Sequence, residues 1–90
     1  MSFRLYVAGT SPRSLRAIQN ARAICDEHFR GRHELEVIDI FQQPGRAKDD
    51  QVLAVPTLIK RAPAPLQRFI GDLSNRPLVL ASLSVRGLAP

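Results

Sequence analysis

The chain has 90 residues, 44% of them hydrophobic and 23% charged, which suits one small globular domain and excludes multidomain enzymes, fibres and disordered tails. Thirteen Lys+Arg against eight Asp+Glu give a net charge of +5, and no apolar run approaches the roughly 20 residues of a spanning helix. Phe3-Arg4-Leu5-Tyr6-Val7-Ala8 alternates, is rich in β-formers and is closed by Gly9-Thr10, so a first strand is predicted there. Ser11-Pro12 supplies a hydroxyl N-cap followed by a proline at the first helical position. Leu15, Ile18, Ala21, Cys25 and Phe29 then recur at three- and four-residue steps, predicting an apolar stripe on a helix over about residues 12–29 that ends at Arg30-Gly31.

Leu35, Val37 and Ile38-Asp39-Ile40 predict a second strand, joined to the first as a right-handed βαβ unit. Pro44 opens a short helix through about Leu53, with Ala47, Val52 and Leu53 as its buried residues. Val55-Pro56-Thr57-Leu58-Ile59-Lys60 reads as a third strand entered through a proline. Ala62-Pro63-Ala64-Pro65 turns the chain, Leu66-Gln67-Arg68-Phe69-Ile70 returns as a hairpin partner, and Gly71-Asp72 closes it. Asp72 or Ser74 caps a last helix over about residues 74–85, carrying Leu78, Val79, Leu80 and Leu83. The sequence carries no repeat, no low-complexity tract and no linker, so residues 1–90 read as a single domain.

The order βαβ, α, ββα predicts an α/β, thioredoxin-like fold with a mixed central sheet flanked by helices. In redox proteins of that architecture a Cys-x-x-Cys sits where the first strand meets the first helix, its thiol pKa lowered by the helix N-terminus. Here the junction is Ser11-Pro12-Arg13-Ser14. A hydroxyl has no thiol–disulfide couple, so dithiol oxidoreductase activity is not expected. Cys25 is the only cysteine, which excludes an intramolecular disulfide and a cysteine metal cluster within the chain. Its place on the stripe reads as a small packed thiol, with a reactive monothiol as the alternative.

Other candidate chemistry is sparse. His28 and His33 lack the i,i+4 spacing of a helical metal pair and read as residues at a helix end. Asp49-Asp50 is a carboxylate pair with no positioned nucleophile or histidine. No glycine-rich phosphate cradle exists, and no metal or cofactor is expected. The charge excess lies in the second half, +1 over residues 1–45 against +4 over residues 46–90. That asymmetry suits either an acidic partner surface or a solvated basic face. Base stacking needs exposed aromatics, and with Phe3, Phe29 and Phe69 facing the core only Tyr6 and Phe41 remain, so nucleic-acid binding is not expected. Met1-Ser2-Phe3-Arg4 runs straight into the first strand without a targeting signal, which makes the cytoplasm the expected location and a membrane partner unexpected.

Together these segments resemble the KaiB family, the small clock proteins that bind the ATPase KaiC. Leu5-Tyr6-Val7-Ala8-Gly9 looks like the family's first strand, and Ser11-Pro12 with Ser14 and Arg16 like its helix entry. Val37-Ile38-Asp39 matches the second strand, and Leu53-Ala54-Val55-Pro56-Thr57-Leu58 is similar to the family's Leu-Ala-Thr-Pro-Thr-Leu. The most distinctive match is Ile70-Gly71-Asp72-Leu73-Ser74-Asn75-Arg76. The likeness spans about residues 3–83 without gaps.

The resemblance implies a non-enzymatic regulator that binds a KaiC-type ATPase in a circadian clock, timer or stress response; a sensor module docking on a signalling kinase is the alternative. It implies two folds of one sequence, a tetramer and a thioredoxin-like monomer, differing in the C-terminal half and linked by proline isomerisation. Two such folds must lie within a few kcal/mol of each other. Pro56, Pro63, Pro65, Ser82 and Ser84 are the fold-determining positions it points to. Ser82 and Ser84 replace the Gly and Asp of clock members, and serine has the higher helix propensity than glycine by a few tenths of a kcal/mol. Ala64 interrupts the family's triple proline. The expectation is therefore a chain resting mainly in the thioredoxin-like state, with monomer, dimer and tetramer left open. Matching positions give Arg16, Lys60, Arg68 and Tyr6 as partner contacts.

Overall fold

The computed structural model describes residues 1–88, with side chains through Leu83. The elements run β1 (Ser2–Val7), α1 (Pro12–His28), β2 (Glu34–Asp39), α2 (Pro44–Asp49), β3 (Thr57–Ala62), β4 (Gln67–Ile70) and α3 (Arg76–Leu88). The four strands form one mixed sheet in the order β2-β1-β3-β4, with β1 parallel to β2 and the other two pairings antiparallel. Leu5 lies opposite Val37 on one side and Leu58 on the other. The fold is the expected thioredoxin-like one.

Strand alternation divides the core in two. Phe3, Leu5, Val7 and Leu58 point to the face covered by α1 and α3, where Ala17, Ala21, Ile24, Cys25, Phe29, Val79 and Leu83 complete the main cluster. Burying a Leu or Phe side chain there is worth about 1.5–3 kcal/mol. Tyr6, Ile38 and Ile59 point to the other face, against Ala47 and Val52.

Several boundaries differ from expectation. The buried stripe of α1 is Ser14, Ala17, Ala21, Ile24 and Cys25. Leu15, one residue on and so turned by about 100°, is 47% exposed. Helix α1 stops at His28, and the cap residue Phe29 donates its N–H to the Cys25 carbonyl at 2.8 Å. Helix α2 ends at Asp49 and does not reach Leu53, because Gln51 takes a left-handed φ of 54°. Leu53 is consequently 96% exposed, not buried.

The third strand starts at Thr57, after Pro56. The last helix starts at Arg76, since Ser74 is held in a turn by its N–H donating to Asp72 Oδ1 at 3.0 Å. Asn75 caps it, its Oδ1 accepting from Leu78 N–H at 3.4 Å. Leu78 points outward at 62% exposure, while Val79 and Leu83 are buried.

The peptide bonds preceding Pro56, Pro63 and Pro65 are cis. Ser82 donates its hydroxyl to the Leu78 carbonyl at 3.0 Å within α3, and its own carbonyl accepts from Gln67 Nε2 at 3.4 Å. The side chain of Ser84 lies outside the described residues. No described helix is long and apolar enough to cross a membrane.

Candidate functional site

The turn from β1 into α1 is where sulfur chemistry would have to reside, and both hydroxyls there are committed to structure. Ser11 is the N-cap, its Oγ accepting from Ser14 N–H at 3.2 Å. The Ser11 hydroxyl donates to Ser14 Oγ at 2.8 Å, and Ala8 N–H donates to the same oxygen at 3.0 Å. Ser14 is 1% exposed. The pair therefore ties the strand end to the helix start, and neither oxygen is presented as a nucleophile with a base beside it.

Cys25 lies three turns further along α1 and is 2% exposed. Burial, reinforced by the neighbouring Asp26 carboxylate, pushes its thiol up to about 11. Thiolate, the reactive form, is thus scarce at neutral pH. The packed-thiol reading agrees with this geometry.

On the opposite sheet face, Asp50 gathers side chains from three elements. Arg4 Nη1 donates to its carboxylate at 3.0 Å, Arg61 Nη1 donates at 2.9 Å, and the buried Tyr6 hydroxyl donates to it as well. Arg68 Nη2 donates to the Asp50 carbonyl oxygen at 2.6 Å. Burial pushes the Asp50 carboxyl up, but the hydrogen bonds from Tyr6 and Arg4 outweigh it and hold the group below its ordinary value. Tyr6 is raised, first by burial and then by its bond to Asp50. One turn earlier, Arg46 forks onto Glu36, with Nη2–Oε1 at 2.7 Å. Helix α2 contains no fully buried residue, so these polar bonds pin it to the sheet.

Asp50 is the residue that sequence reasoning undervalued. Its partners stand 44 and 46 positions away in the chain, and the adjacent Asp49 carries the same formal charge without any of these contacts. The one available signal was the alternation of β1, which puts Arg4 and Tyr6 on one face.

The predicted partner contacts do not form one surface. Tyr6 and Lys60 are each 0% exposed, which corrects the expectation that they reach a partner in this fold. Lys60 shares the face of Leu58 and sits beneath α1 and α3, and Tyr6 lies on the other side of the sheet. Arg68 is exposed on β4. Arg16 is exposed on α1, where its Nε donates to Asp72 Oδ2 at 3.1 Å.

The distinctive Gly71–Arg76 run turns out to be a structural junction. Gly71 has φ +114°, a conformation that side chains rarely adopt, and Leu73 follows at φ 64° with its side chain buried. Asn20 of α1 donates to the Asp72 carbonyl at 2.8 Å, and Arg76 donates to Asn20 Oδ1 at 2.9 Å. The run thereby locks the start of α3 onto α1.

His33 Nδ1 lies 2.8 Å from the Phe29 carbonyl, in keeping with a helix-end role. Among the described residues no three His, Cys, Asp or Glu side chains are placed to hold a metal ion.

Comparison with known proteins places the chain among relatives and fold neighbours. The KaiB domain model matches residues 4–85. The circadian clock protein KaiB3 of Synechocystis sp. is 46% identical over 82 residues, covering 91% of this chain and 80% of that protein. The circadian clock oscillator protein KaiB of a Prochlorococcus marinus strain is 48% identical over 82 residues, covering 91% and 78%. Among solved structures, the N-terminal domain of Synechococcus elongatus SasA superposes with a TM-score of 0.80 at 23% identity, over 99% of this chain and 84% of that one. Thioredoxin 1 from Thermosipho africanus gives 0.74 at 18% identity, over 97% and 99%. Those two likenesses are of fold. The matched residues run from the first strand into the last helix, and the chain belongs to the KaiB family.

Proposed function

We propose that this chain is a non-enzymatic regulatory module of one domain that acts by binding a KaiC-type ATPase, in a circadian clock, timer or stress-response system. The observation that carries the reading is the occupation of both sulfur positions by Ser11 and Ser14, whose oxygens are engaged in capping the helix. The only thiol is buried. What remains for a KaiB-family scaffold of this kind is contact with another macromolecule, and Arg16 and Arg68 are the exposed members of its expected contact set. Charges at such a rim act mainly on association rate and salt dependence.

Affinity capture with the host's KaiC-type ATPase, with and without ATP, tests the proposal. Retention in at least one nucleotide state, with an altered hydrolysis rate, is the expected result. Absence from the eluate in both states counts against it, and capture of a signalling kinase in its place assigns the alternative partner. We propose that the chain rests mainly in the thioredoxin-like state. Sizing chromatography should then give a species of one or two chains, whereas a stable tetramer that converts slowly on adding the ATPase is the contrary result.

A further inference from the structure

Helix α2 covers only part of its sheet face. Between α2, the segment 51–55 and β4 the structure leaves a groove of ≈ 940 Å³. Its apolar lining includes Ile40, Val52 and Val55, and Leu53 and Ile70 stand at its sides with exposures of 96% and 73%. Two large aliphatic side chains held in water beside an apolar trough are the mark of a contact surface. Leu53 is not on a loose loop. Val52 N–H donates to the Ala47 carbonyl at 2.9 Å on one side of it, and the Thr57 hydroxyl donates to the Ala54 carbonyl at 2.6 Å on the other.

Charge selects the occupant. Lys48 and Arg68 line the groove, and no carboxylate does. Among the described residues, no carboxylate lies within ion-pair distance of either cation. The nearby Asp50 carboxylate is taken up by Arg4, Tyr6 and Arg61, while Arg68 bonds only to the neutral Asp50 carbonyl. The groove therefore carries net positive charge next to apolar side chains. It contains no aromatic residue on which a base could stack, which disfavours a nucleic acid.

We infer that this groove receives a segment of a partner protein that presents aliphatic side chains flanked by carboxylates. The inference rests on the reading above only in taking the chain to act through protein contact; it does not presuppose the ATPase.

The test uses two fluorescein-labelled synthetic peptides with the same leucine positions, one with glutamates and one with lysines at the remaining positions, followed by anisotropy. The glutamate peptide should bind saturably and about tenfold or more tightly than the lysine peptide, with affinity falling as salt rises. Leu53→Asp and Ile70→Asp should each weaken it by about tenfold or more, and Arg68→Glu should weaken it and flatten the salt dependence. Leu15→Asp, on the exposed side of α1, should leave it unchanged. Far-UV circular dichroism checks that each variant is folded, and the exposure of all four side chains makes folding the expected result. Equal binding of the two peptides, undiminished binding by Leu53→Asp, or no saturable binding of either overturns the inference. So does sedimentation showing that the groove is filled by a second copy, with self-association abolished by Leu53→Asp. Failure of ATPase capture with the glutamate peptide still bound would remove the proposed partner and leave the groove assignment standing.

Discussion

The Ser11 hydroxyl donates to Ser14 Oγ at 2.8 Å, so the two positions that would carry a dithiol in a redox protein of this fold are bonded to each other as a helix cap. Ser11→Ala removes that cap and should cost about 1 kcal/mol in urea unfolding. Ser14→Ala should cost more, about 1–3 kcal/mol, because it strands the Ala8 N–H beside a residue that is 1% exposed. Equal, negligible losses would deny the pair its structural role.

Cys25 should be inert while the chain is folded. With its thiol raised to about 11 and its surface covered, a disulfide-exchange reagent such as dithionitrobenzoate should label it at the rate of global or local opening, and rapidly only in denaturant. Stoichiometric labelling within seconds in native buffer would contradict this.

Stability should have a plateau bounded by Asp50 on the acid side and Tyr6 on the alkaline side. Asp50 is held below its ordinary 3.8, so its contribution is present above that value and is lost as the pH falls through the lower folded-state value. Tyr6 is raised above its ordinary 10.0, so its contribution is present below pH 10.0 and is lost as the pH rises through the higher folded-state value. Asp50→Asn should lower stability at pH 7 by about 1–3 kcal/mol and make the acid flank shallower. Denaturation midpoints from pH 2 to 11, for the chain and the variant, check this.

Lys60 and Arg68 should separate stability from association. Lys60 is 0% exposed, so Lys60→Ala should destabilise by about 2 kcal/mol or more through lost packing of its stem. Arg68→Ala, on the exposed face of β4, loses one exposed hydrogen bond to the Asp50 carbonyl and should cost about 1 kcal/mol or less, while weakening partner binding. Thermal melts and affinity capture of both variants, run together, make the comparison.

Much of this architecture is legible from alternation and punctuation. Phe3, Leu5 and Val7 announce one face of β1, and Ser11-Pro12 announces the start of α1. Leu15, Leu53 and Lys60 depart from that pattern for local reasons. The face that α1 buries begins with the small residues Ser14 and Ala17, so hydrophobicity points to Leu15 where packing takes its neighbour. A left-handed Gln51 turns Leu53 out of a helix that its composition would continue. Lys60 reads as a surface cation by type, although its spacing of two from Leu58 already puts it on the inner face. The Asp50 hub and the groove beside it are products of contacts between distant segments: alternation puts Arg4 and Tyr6 on one face of β1, but no linear pattern brings Asp50, Arg61 and Arg68 to them.

The most direct measurement is sedimentation velocity of the Cys25→Ser chain mixed with the KaiC-type ATPase in ATP and in ADP. The thiol-free chain should co-sediment as fully as the unaltered one. A complex that forms only when Cys25 is present would contradict it.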